Sequence, residues 1–69
     1  MDAVEKELQS RKENIKKELQ ILFKVNMKFT DWDVPEADDE KAARLLLDII
    51  KEGVADIEKD IEEGKYKNY

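Results

Sequence analysis

The chain has 69 residues and a net charge of −5, and 45% of its residues are charged. A chain this short forms one small domain, residues 1–69, that is only marginally stable alone. It has no Cys and no His, which excludes disulfide bonds and ordinary zinc sites, and we expect no metal and no cofactor. The lack of Cys fits a reducing compartment such as the cytoplasm. No apolar run is long enough to cross a membrane.

Apolar residues with helical spacing predict a first helix from about residue 2 to about residue 22. The members of this stripe are Val4, Leu8, Ile15, Leu19 and Leu22. Asp2 has a short acceptor side chain of the kind that caps the start of a helix. Arg11 or Lys12 interrupts the stripe where a further apolar residue would fall.

The segment Phe23–Phe29 alternates apolar and polar residues. A strand would place all four apolar side chains, those of Phe23, Val25, Met27 and Phe29, on one face. A helix would separate Phe23 and Met27 from Val25 and Phe29, so that one pair would face water. The alternation therefore predicts a strand over about residues 23–30. Because no second strand is predicted, its edges require a partner, either another copy or a target.

An acidic turn is predicted over residues 31–36, since Pro35 holds Val34 in an extended conformation and can occupy the first turn of the next helix. Helix 2 is predicted from about 35 to 63, with Gly64 as its terminal cap and residues 64–69 as a loose tail. Its apolar stripe comprises Ala42, Ala43, Leu46, Ile50, Val54, Ile57 and Ile61. Leu45, Leu47 and Ile49 make this stripe wider than a contact between two helices requires. They must therefore pack against a further segment.

These elements predict a mainly α fold with two long helices that pack antiparallel, one short strand between them, and completion by dimerisation. One register, within a chain or between two chains, pairs Val4 with Ile61, Leu8 with Ile57, Ile15 with Ile50, Leu19 with Leu46, and Leu22 with Ala43. This register brings Arg11 close to Gly53. The missing side chain of Gly53 would then let the stem of Arg11 cross the seam.

The sequence offers no catalytic arrangement, so we expect the protein not to be an enzyme. Without His or Cys, the common general bases and thiol nucleophiles are missing. Two isolated glycines form no phosphate loop. A calcium-binding loop that started at Asp31 would need Gly where Glu36 stands and Glu where Ala42 stands.

The preferred function is a non-enzymatic interaction or regulatory protein that binds another protein, itself, or both. Residues 1–29 carry seven basic and five acidic side chains, whereas residues 30–69 carry six and thirteen. The preferred interpretation of this imbalance is ordinary solvated helix faces. The alternatives are that the two halves pack together or that the acidic half faces a basic partner. The assembly and partner-binding candidates are Phe23, Val25, Met27, Phe29 and Trp32, together with Asp31, Asp33, Asp38 and Asp39 of the acidic 31–40 segment.

Two alternatives involve nucleic acid, which is not the favoured partner. Ribbon-helix-helix regulators pair a strand with that of a dimer mate and read the major groove with outward side chains. Lys24, Asn26 and Lys28 would be those side chains here, although the order of elements and the acidic charge depart from that pattern. The second alternative is an acidic inhibitor whose carboxylates imitate the phosphates of nucleic acid.

Overall fold

The computed structural model describes residues 2–36 and 38–69, so Met1 and Ala37 lie outside the described part of the chain. It contains two helices, α1 (Ala3–Asp33) and α2 (Asp39–Glu62), which pack together as a hairpin. The prediction of a mainly helical chain with two packed helices is confirmed. In the described residues, neither helix has an apolar stretch long enough to cross a bilayer.

The predicted strand over residues 23–30 is wrong, because this segment is the continuation of α1. A lone strand would leave its backbone N–H and C=O groups unpaired, whereas a helix pairs them internally. The four apolar side chains are consequently divided between two faces. Phe23 and Met27 are half-buried, while Val25 and Phe29 remain 44% and 51% exposed.

Both ends of α1 have clear local causes. Asp2 is the N-cap, as predicted, and its Oδ1 accepts a hydrogen bond of 2.8 Å from the backbone N–H of Glu5. At the other end Val34 leaves the helical region, with φ −133° and ψ 78°. The residue before a proline is disfavoured in the helical conformation, so Pro35 accounts for the stop.

The second helix starts later than predicted. Its N-cap is Asp38, whose Oδ1 accepts hydrogen bonds from the N–H groups of Glu40 and Lys41 at 3.0 and 3.2 Å. These two bonds satisfy donors of the first turn, which favours a start at Asp39 over one at Pro35. The predicted range 35–63 also contains Ala37, which lies outside the described residues.

Gly64 ends α2, as predicted, with a φ of +80°. Its N–H donates to the carbonyl of Ile61, and the N–H of Lys65 donates to the carbonyl of Asp60, both at 3.0 Å. This pair of bonds is the Schellman arrangement. Beyond it, the rings of Tyr66 and Tyr69 stack with their centroids 5.4 Å apart.

The two helices contact each other only near the turn. The half-buried residues at this contact are Phe23, Asn26, Met27 and Thr30 of α1 and Ala42, Ala43, Leu46, Leu47 and Ile50 of α2. Toward the N-terminus at helical spacing, the contact face of α1 continues with Leu19, which lines a cleft with Phe23, Leu47 and Ile50. Beyond Leu19 it reaches Lys16, Lys12 and Gln9, which are polar. The N-terminal half of α1 therefore offers nothing apolar to the end of α2.

The predicted register is not formed within one chain. Leu22 is 50% exposed, whereas its neighbour Phe23 shares a cleft with Leu47 and Ile50. At the far end of the hairpin, Val4 and Ile61 are 66% and 59% exposed.

The predicted meeting of Arg11 with Gly53 does not occur within one chain either. A Cβ added to Gly53 would touch nothing within 4 Å. Arg11 instead forms an ion pair of 3.4 Å with Glu7 of its own helix.

Candidate protein-interaction surfaces

The hairpin has no enclosed core, since no described residue is buried. Its solvent-accessible surface is 6432 Å², whereas a compact monomer of this mass exposes about 4,500 Å². Its radius of gyration is 16.0 Å, against about 11 Å for a compact chain of this length. The molecule therefore exposes apolar side chains that a folded monomer of its size would cover.

One exposed surface is a straight seam along α1. Its positions are separated by alternating steps of four and three residues, which is the heptad pattern of a coiled coil. We define the α1 seam as Val4, Leu8, Arg11, Ile15, Glu18, Leu22, Val25, Phe29 and Trp32. All of these positions are solvent-exposed. The seam lies to one side of the contact face that α1 presents to α2.

The aromatic end of the α1 seam is locally ordered. The rings of Phe29 and Trp32 pack edge to face, with centroids 5.7 Å apart and an interplanar angle of 78°. Trp32 nevertheless remains 71% exposed. An exposed aromatic pair of this kind is a common anchor of protein interfaces.

A second exposed surface is a groove of about 510 Å³ between the helices beside the turn. We define the turn-end groove by its apolar wall, which consists of Thr30, Val34, Ala42, Leu45, Leu46 and Ile49, and by Asp38 and Lys41. Leu45 and Ile49 are 53% and 62% exposed. These two side chains, which widen the apolar face of α2, thus remain largely exposed within one chain.

Carboxylates concentrate next to this groove. Asp31 and Asp33 lie in the last turn of α1, which contains no basic residue, while Asp38 and Asp39 begin α2. The pKa of Asp39 is raised above its ordinary value of 3.8 by a hydrogen bond with Asp31, by the negative charge of Asp31 and, to a smaller extent, by that of Asp38. The two helix ends therefore bring like charges together.

The charge at the end of α1 is unfavourable for the helix itself. A helix C-terminus carries a partial negative charge, so acidic residues there destabilise it slightly and basic ones stabilise it. Ion pairs among the described residues join positions no more than five apart, and none links α1 to α2. Within this part of the chain, the cluster at Asp31 and Asp39 has no neutralising cation in an ion pair.

The structure divides the assembly candidates into two groups. Phe23 and Met27 take part in the contact with α2, whereas Val25, Phe29 and Trp32 belong to the α1 seam. The strand prediction separates these three residues from the apolar stripe of the first helix, although they continue that stripe along α1. The alternating four- and three-residue spacing that runs from Val4 to Trp32 is the sequence signal that would have revealed it.

The predicted nucleic-acid site depends on a strand over residues 23–30, and this segment is helical. On a helix Asn26 no longer lies between Lys24 and Lys28 on one face. Its Nδ2 donates a hydrogen bond of 2.8 Å to the backbone carbonyl of Leu22, and Asn26 is half-buried near the helix contact. The described residues therefore contain no strand that would support the ribbon-helix-helix interpretation.

Comparison with known proteins adds no assignment, because no protein-family model, no curated protein and no solved structure matches the chain.

Proposed function

We propose that this protein is a non-enzymatic interaction module that binds other polypeptides through exposed apolar faces of its helical hairpin. The observation that carries this proposal is the surface area of 6432 Å², about 1,900 Å² more than a compact monomer of the same mass exposes. A standard interface covers about 800 Å² on each partner. The excess is thus large enough for one or two interfaces.

The turn-end groove is the proposed site for a different protein. Its apolar wall and its position between two helices suit a third amphipathic helix that lays its own apolar face into the groove. Val34, Leu45 and Ile49 would supply the contact, and each is more than 40% exposed in the single chain.

The acidic residues define the charge of this partner. A helix with Lys or Arg beside its apolar face would bring cations to Asp31 and Asp39. The hydrogen bond with Asp31 and the negative charge of Asp31 raise the pKa of Asp39. The same cations would interact favourably with the negative end of the α1 dipole. We infer that the partner is a basic amphipathic helix rather than an acidic one.

A defined peptide tests this proposal. We would titrate the isotope-labelled protein with a synthetic amphipathic helix of Leu and Lys and follow the backbone amides by NMR. We expect shifts at Thr30, Val34 and Leu45, and weaker binding as salt is raised, because the charged residues are exposed. A peptide of the same apolar pattern with Glu in place of Lys should bind at least tenfold more weakly.

Two matched variants locate the binding site. Ile49→Gln should reduce the affinity for the Leu/Lys peptide about tenfold, since it removes apolar contact area in the groove. Ile21→Gln should leave the affinity unchanged, because Ile21 is similarly exposed, at 60% against 62%, but lies outside the groove. Absence of binding, or equal losses in the two variants, would contradict the proposed groove site.

A further inference from the structure

We propose that a second copy of this chain covers the α1 seam, with the two α1 helices antiparallel and Arg11 of each copy beside Glu18 of the other. This inference rests on the proposed function, because it names one of the polypeptides that bind the exposed helix faces. It concerns a different surface from the turn-end groove.

The repeat pattern is the first support. The α1 seam holds its four-three spacing over nine positions, or about four heptads, and seven of the nine residues are apolar. A heptad pattern sustained over three to four heptads is typical of a helix that pairs with another helix. In this hairpin α2 contacts a different face of α1, where Phe23 and Met27 lie, so the seam is left without a partner in its own chain.

The two charged seam positions select the orientation. Arg11 and Glu18 have opposite charges and lie on either side of Ile15 in the seam. A parallel pair of seams would place Arg11 opposite Arg11 and Glu18 opposite Glu18, which is repulsive. An antiparallel pair brings Arg11 of one copy to Glu18 of the other, twice by symmetry, and the charges compensate each other.

One antiparallel register satisfies both the apolar and the charged positions. It sets Val4 against Phe29, Leu8 against Val25, Arg11 against Leu22, and Ile15 against Glu18. Arg11 and the Glu18 of the second copy then occupy neighbouring layers, about 6 Å apart along the axis, which is within reach of their long side chains.

The side chains at these positions are free to rearrange. Arg11 has only a 3.4 Å ion pair with Glu7, and its side chain is 55% exposed. Glu18 forms no ion pair with any other residue in the described ranges 2–36 and 38–69. A second copy would therefore give both charges an additional partner without breaking a buried interaction.

Charge exchange tests the orientation. In sedimentation equilibrium of the full chain, Arg11→Glu and Glu18→Arg should each weaken the dimer about tenfold or more, because each creates like charges between copies. The double variant should recover most of the wild-type affinity. Lys17→Glu makes the same charge change as Arg11→Glu away from the seam, and it should dimerise like the wild type.

Cysteine cross-linking tests the register independently, and the chain has no native Cys to interfere. A mixture of Val4→Cys and Phe29→Cys chains should form a mixed disulfide dimer under oxidation. Val4→Cys alone should not cross-link efficiently, because its counterpart lies at the far end of the pair.

Three results would overturn the antiparallel pairing: a monomer at all concentrations, a dimer that tolerates both single charge changes, or efficient cross-linking of Val4→Cys with itself. The proposed function is judged separately by the peptide titration. A monomer that still binds the Leu/Lys peptide in the turn-end groove would reject the seam pairing alone. A seam dimer that binds no peptide would reject the groove site alone.

Discussion

At the scale of single residues, the two glycines perform opposite roles. Gly64 has a φ of +80° and completes the Schellman turn that ends α2. Gly53 lies inside α2, where an added Cβ would meet open space. A side chain is strained at the first position and helps to hold the helix at the second.

Replacing each glycine with alanine should therefore change stability in opposite directions. Gly64→Ala should lower the free energy of unfolding by about 1 kcal/mol, because a Cβ is disfavoured at positive φ. Gly53→Ala should raise it by about 0.5–1 kcal/mol, because Ala is the better helix former. Urea unfolding followed by circular dichroism measures both changes. A loss of stability in Gly53→Ala would show that Gly53 is needed for a close approach by another helix.

At the scale of elements, the end of α1 combines a sharp stop with unfavourable charge. Pro35 stops the helix, and Asp31 and Asp33 occupy its last turn without a basic neighbour in that turn. Asp39 of α2 adds a third carboxylate, and its pKa is raised by Asp31. This local arrangement slightly destabilises the isolated hairpin.

The raised pKa of Asp39 has a definite consequence for pH dependence. Since the folded chain holds this proton more tightly than the unfolded chain, the associated stability is present below the ordinary pKa of 3.8 and is lost as the pH rises through the raised value. Asp31→Asn should lower the pKa of Asp39 and raise stability at neutral pH, because it removes the neighbouring charge. Carboxyl NMR titration and thermal unfolding at acidic and neutral pH measure these effects.

A matched control is available on the exposed surface of α2. Asp48→Asn removes one negative charge from the middle of that helix, away from the cluster. It should leave the pKa of Asp39 unchanged. If the two substitutions shift Asp39 equally, the overall charge of the chain, and not the contact with Asp31, would be the cause.

The same elements show what the sequence can and cannot reveal. The helical stripe from Val4 to Leu22, the cap at Asp2 and the terminal glycine at Gly64 depend on local chemistry, and they predict two helices correctly. Pro35 is predicted in the first turn of α2, whereas in the structure it follows the end of α1. The strand prediction for Phe23–Phe29 is wrong because a two-residue alternation also occurs when one helix has two apolar faces. Which face contacts α2 depends on packing between distant residues, and local spacing alone does not determine it.

At the scale of the whole molecule, the hairpin is extended, and none of its described residues is buried. Its principal dimensions are 49 × 27 × 16 Å, and its helices separate away from the turn because polar residues continue the contact face of α1. Hydrophobic burial is the main favourable term in folding, and here most large apolar side chains are still exposed. We therefore expect association to supply much of the stability of the native chain.

Stability should consequently depend on protein concentration. For a dimer that dissociates on unfolding, each tenfold increase in concentration stabilises the folded state by about 1.4 kcal/mol of dimer, so the thermal midpoint should rise with concentration. Arg11→Glu should show a lower midpoint than the wild type at equal concentration, because its seam dimer is weakened. Lys17→Glu should follow the wild-type curve. A wild-type midpoint that is constant over a hundredfold range of concentration would mean that the splayed hairpin folds without a second copy, and that its exposed seam is stable in water.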